Sequence, residues 1–115
     1  MLSSHSAVGS ANTMLGCQKA RSSLYDLTSQ MQNLEAPTLI LVGDEDWPCL
    51  APAILMKRHI STAALAVIPN SGHCINLEDP AEFNRLVADF IAQVESGRWP
   101  KRDPRSMSES ITGMN

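Results

Sequence analysis

Thr38-Leu39-Ile40-Leu41-Val42-Gly43-Asp44-Glu45-Asp46 decides the fold. Five β-prone residues in a row read as a strand buried on both faces, the pattern of a parallel sheet. Gly43 ends the run, and three acidic residues follow directly. A second apolar stretch, 64–68, is closed by Pro69-Asn70-Ser71-Gly72, a turn cluster that stops pairing and presents His73. Asp46 and His73 therefore each stand just past the C-terminal end of a strand. In open α/β sheets that edge gathers ligands and catalytic groups, because its loops vary while the strands hold them rigidly.

Helical signals surround the two strands. Pro48 and Pro52 bracket a helix start, since proline's fixed φ and missing N–H suit a first turn, and Ile54, Leu55 and Met56 continue the helix to His59. Strand, helix, strand follows, with a right-handed crossover expected. Upstream, Leu24, Leu27, Met31 and Leu34 recur at three- and four-residue steps, with Ser22 or Ser23 as cap and Pro37 as terminator. Downstream, Asp79-Pro80-Ala81-Glu82 combines a capping Asp, a proline at the first helical position and a Glu at the capping-box position. Phe83, Leu86, Val87, Phe90, Ile91 and Val94 then lie on one face, and Gly97 supplies the stop. The expected fold is α/β, with two parallel strands over about 38–42 and 64–68 and flanking helices over about 22–34, 51–59 and 80–95. Residues 1–20 are expected to be loop or weakly structured, 21–97 the structured unit, and 98–115 a polar tail.

Composition narrows the partners. A chain of 115 residues with 43% hydrophobic content fits one small domain. A net charge of −3 and a pI near 5.5 give no reason to expect nucleic acid or an anionic membrane. The start carries no basic stretch followed by an apolar segment, and no run approaches the ~18 apolar residues of a membrane span. A soluble, cytoplasmic protein is expected. Cys17, Cys49 and Cys74 are odd in number and widely spaced, so reduced structural thiols are the default. Cys74 and His73, as sequence neighbours in an extended loop, should point apart, and they are not read as a dyad.

Taken together, 37–46 resembles the penultimate strand and acid turn of the α/β-hydrolase family, where the Asp three residues after the Gly is the triad acid; Asp46 is the matching position. Residues 66–73, followed by Asn76-Leu77-Glu78-Asp79-Pro80 and the Phe83 helix, resemble that family's last strand, catalytic His loop and final helix; His73 matches the base. The order Asp before His agrees with the family's Ser, Asp or Glu, His sequence. The resemblance runs over roughly 37–94 and implies a C-terminal portion of the fold. It implies that Asp46 orients the imidazole and that His73 acts as general base and then general acid.

Other readings of these residues are plainer. Asp44 and Glu45 are read as solvated turn formers, and His59 as a complement to the dipole of its helix. Trp47, beside Asp46, is a candidate for walling a substrate pocket, although a core or rim position is equally open. The acidic run lacks the alternating oxygen ligands and internal Gly of a calcium loop, and no metal or organic cofactor is implied.

No Gly-x-Ser-x-Gly occurs in the sequence, so no nucleophile elbow is assigned, and the oxyanion hole that depends on it is missing too. Two strands alone make a marginal sheet with an apolar edge that invites self-association. The sequence therefore reads as a C-terminal segment of a hydrolase of a small ester-like or related substrate, inactive alone. A non-catalytic binding or interaction module on the same scaffold is the rival.

Overall fold

The computed structural model describes residues 6–110. Residues 1–5 and 111–115, which fall in the expected N-terminal segment and C-terminal tail, lie outside the described residues. The centre is a parallel pair of strands, β1 (Thr38–Gly43) and β2 (Ala63–Ile68), joined through the helix Trp47–His59. The register sets Thr38 opposite Ala63 and Gly43 opposite Ile68, so both strands end at the same level. That register sends the 44–46 and 69–73 loops out side by side.

The helices are α1 (Ala7–Thr13), α2 (Thr28–Gln32), α3 (Trp47–His59), α4 (Ile75–Glu78) and α5 (Pro80–Glu95). The expected helix over 22–34 divides into a 3-10 turn at Leu24–Leu27, capped by Ser23 Oγ, and the short α2. Leu27 leaves helical geometry between them, and Thr28 and Ser29 are residues whose side chains compete with helical hydrogen bonding. Leu24, Leu27 and Met31 still reach the core, whereas Leu34 is exposed.

α3 begins at Trp47 rather than near 51, because Pro48 takes the first turn and Pro52 lies inside the helix. Lys57, Arg58 and His59 fill its last turn, where cations complement the helix dipole. Gln32 Nε2 also lies 3.4 Å from His59 Nδ1.

Ile40 and Val42 of β1 pack with Ala53 of α3, Ile60 just past its end, Ala63 of β2 and Met31 of α2. The opposite face of β1 is thinner: Leu39 and Leu41 are only half-buried. The expectation of a strand covered equally on both faces is thus met on the α3 side only.

α5 spans the expected residues. Asp79 Oδ1 accepts from the Glu82 N–H at 3.3 Å, and Gly97 takes a left-handed φ of 71° just past the helix end. Only half of the capping box forms, since the Glu82 carboxylate pairs with Arg85 at 2.6 Å instead of reaching back. No residue of α5 is buried, and Ile91 in the middle of its apolar stripe is 48% exposed.

Beyond α5 the chain is pinned before it becomes polar. Trp99 meets Phe90 edge-on at 4.7 Å and donates its indole N–H to the Thr62 carbonyl at 2.7 Å. The Arg102 guanidinium donates to the carbonyls of Lys57 and Arg58 at the end of α3. A compact domain of this length has a radius of gyration of about 13 Å. The value here is 17.1 Å, so much of the chain stands away from a common centre. Among the described residues no helix is long and apolar enough to cross a membrane.

Candidate active site

The two loops leaving β1 and β2 are laced to each other. The Asp44 N–H donates to the Ile68 carbonyl and the Glu45 N–H to the Ser71 carbonyl, each at 3.0 Å. In return the Ser71 N–H donates to Asp44 Oδ1 at 3.1 Å. Asp44, read from sequence as a solvated turn former, is exposed and also ties the two loops together. Ser71 itself is 2% exposed, and its hydroxyl donates to the Pro69 carbonyl.

Two backbone features permit this approach. Asn70 takes a left-handed φ of 56°, a region in which asparagine is the best tolerated residue after glycine. At Gly43 a β-carbon would fall on the carbonyl oxygens of Ser71 and Gly72, so glycine is required by contact rather than by dihedral angle. From the other side the Gly72 N–H lies 3.1–3.2 Å from the two carboxylate oxygens of Glu78 in α4, which fixes the peptide just before His73.

The outcome is a close pair. His73 Nδ1 lies 2.8 Å from Asp46 Oδ2. The Asp46 side chain is 10% exposed and that of His73 is 77% exposed, so the carboxylate is sheltered while the far edge of the imidazole faces solvent. The hydrogen bond from His73 holds the Asp46 carboxyl below the usual carboxylate range, against a smaller opposing effect of burial; a bond from Cys49 adds to the lowering. An ionised carboxylate facing Nδ1 selects the tautomer with its proton there, leaving Nε2 as the free base.

Sequence reasoning missed a third member of the cluster. Cys49, in the first turn of α3, brings Sγ to 3.8 Å from His73 Nδ1. Its hydrogen bond to Asp46 pushes the thiol's pKa up, with burial and charge acting in the same direction. The signal was the spacing Asp46-x-x-Cys49, which places both side chains on one side of a helix start. Cys74, adjacent to His73 in sequence, is exposed and makes no part of the cluster. Trp47 is the first residue of α3, next to Asp46, and is 78% exposed.

No family model matches the sequence. Individual proteins do. Over 75 residues the chain is 31% identical to monoacylglycerol lipase ABHD6 of Mus musculus, covering 64% of this chain and 22% of that protein. Over 82 residues it is 32% identical to 2-hydroxy-6-oxo-6-phenylhexa-2,4-dienoate hydrolase of Burkholderia cepacia, covering 70% of this chain and 29% of that one. Among solved structures, MenH from S. aureus superposes with a TM-score of 0.56 at 30% identity, over 58% of this chain and 25% of its own. The chain thus spans less than a third of each of these relatives. With its parallel strand pair, flanking helices and these partial similarities, the chain belongs to the α/β-hydrolase family, of whose fold it carries a part.

Proposed function

We propose that this chain supplies the acid and the base of an α/β-hydrolase acting on a small ester-like substrate, with Asp46 orienting His73 and His73 moving the proton. The 2.8 Å contact between His73 Nδ1 and Asp46 Oδ2, with the rest of the imidazole open to solvent, is the observation that carries this reading. In such a reaction His73 Nε2 takes the proton of a nucleophile as it attacks the substrate carbonyl, then returns it to the leaving group. Trp47, exposed beside Asp46, would form part of the substrate wall.

The nucleophile is a group that this sequence does not contain in a Gly-x-Ser-x-Gly setting. By itself the chain is therefore expected not to turn over substrate. The same missing motif favours the second reading, a hydrolase-like module that binds a ligand or a partner, including a further copy through the outer strand edges.

Two experiments separate these readings. The purified chain should show no hydrolysis of a nitrophenyl ester that depends on Asp46 and His73. Activity abolished by both Asp46→Asn and His73→Ala would overturn the proposal of inactivity. If the reading frame upstream of Met1 encodes a strand followed by Gly-x-Ser-x-Gly, the extended protein should hydrolyse the ester and lose about 10²- to 10⁴-fold on His73→Ala, the usual worth of a general base. An extended protein that contains the motif and is indifferent to His73→Ala would leave the module reading in its place.

A further inference from the structure

We propose that Asp46, Cys49 and His73 form a binding site for a zinc-like divalent cation, and that its occupancy and the base function of His73 exclude each other. The carboxylate oxygen, the thiol sulfur and the imidazole Nδ1 all lie within 4.8 Å of one another. These donor types are the ones that hold zinc, with metal–ligand distances of about 2.0–2.3 Å. Donor atoms arranged tetrahedrally at those distances are about 3.3–3.6 Å apart. Cys49 Sγ and His73 Nδ1, at 3.8 Å, are already close to that separation. Asp46 Oδ2 and His73 Nδ1, at 2.8 Å, have to part by a few tenths of an ångström. The exposed His73 ring can make that adjustment, and the solvent side leaves the fourth position to water.

Proton placement gives the site its consequence. Without metal, His73 Nδ1 faces Asp46 Oδ2 at 2.8 Å and Cys49 Sγ at 3.8 Å. A cation between the three groups takes the thiolate, the carboxylate and the Nδ1 lone pair as ligands. The thiol proton leaves to solvent, and the imidazole proton is carried on Nε2, which is then no longer a base. One proton is released per cation bound, and no electrons move. The site stands on the geometry of the cluster and not on the proposed hydrolase activity.

The test uses the full chain with zinc chloride in titration calorimetry, and cobalt chloride as an optical probe, in the absence of substrate. One zinc per chain should bind with release of one proton, read from titrations in buffers of different ionisation enthalpy. Cobalt should give a thiolate-to-metal charge-transfer band. Cys49→Ser should abolish the band and weaken zinc at least about tenfold, since loss of even a ligand's hydrogen-bond partner costs about 10- to 100-fold. The double variant Cys17→Ser and Cys74→Ser should keep both signals. Circular dichroism of Cys49→Ser and of a second variant, Cys49→Ala, confirms that the fold is retained. No binding, a band that survives in folded Cys49→Ser, or a band lost in the double variant would each overturn the site. Failure here leaves the acid–base reading untouched, because no turnover is measured.

Discussion

The β1–α3–β2 unit and α5 are both apolar on one side, yet they end in different states. In the first, Ile68 is 1% exposed, Val42 5% and Ile40 6%, and the loops leaving the strands are cross-bonded. In α5 no residue is fully buried: Phe83, Leu86, Val87, Phe90 and Val94 are partly buried, and Ile91 is 48% exposed. Burial follows from having neighbours, and local helix signals supply none. The caps of α5 specify where it starts and stops, while the neighbours it meets among the described residues cover its stripe only in part. The candidate site belongs to the first region, whose fully buried residues hold its loops together, whereas α5 has none.

That contrast is open to attack by substitution. Ile68→Ala should have the largest effect, about 2–5 kcal/mol of lost stability for a buried Ile truncated to Ala, read as a drop in urea midpoint. Ile91→Ala, on the 48% exposed position of α5, should stay within about 0.5 kcal/mol. Equal losses at the two positions would mean that α5 is packed as firmly as the strands. Next in size is Gly43→Ala, which drives a methyl group into the Ser71 and Gly72 carbonyls. Overpacking of this kind costs about 1–3 kcal/mol, and it should also separate Asp46 from His73, visible as a changed ring spectrum of His73.

Smaller again is Trp99→Phe, which keeps a ring against Phe90 and removes the N–H donated to Thr62. About 1 kcal/mol is expected, the usual net worth of one hydrogen bond, and an unchanged midpoint would show that the segment after α5 contributes nothing.

The smallest effect is the pH dependence from Asp46. Its folded pKa is depressed, so its contribution to stability is fully present above the unfolded value of about 3.9 and is lost as the pH falls through the lower folded value. The melting temperatures of the parent and Asp46→Asn should therefore converge on going from neutral pH to below about 4. A difference that is the same at both ends would remove Asp46 from the linkage.

Much of this was legible in the sequence, for identifiable reasons. Both strands were, because an apolar run bounded by Gly43 or by Pro69-Asn70 has few other solutions. α5 was legible to the residue because Asp79-Pro80 and Gly97 mark its ends chemically. Asp46 and His73 were picked out as candidates because each follows a strand end at the same edge, and the register sets their side chains 2.8 Å apart. Cys49 was not, and the cause is specific. With the start of α3 placed near 51 on the strength of Pro52, Cys49 fell in a loop and had no defined direction. The roles of Asp44 and Glu78 were hidden for another reason: each bonds the backbone of the 71–72 turn, and which N–H a carboxylate meets depends on how closely the chain segments approach. The break after Leu27 lay between two good apolar steps, which periodicity alone runs together.

The central claim is that Asp46 holds the His73 imidazole in the orientation and tautomer of a general base. Long-range proton–nitrogen correlation of the His73 ring, in the neutral form, tests it directly. The parent should show the proton on Nδ1 and a bare Nε2, and Asp46→Asn should shift the ring toward the opposite tautomer. The same tautomer in both proteins would contradict the claim.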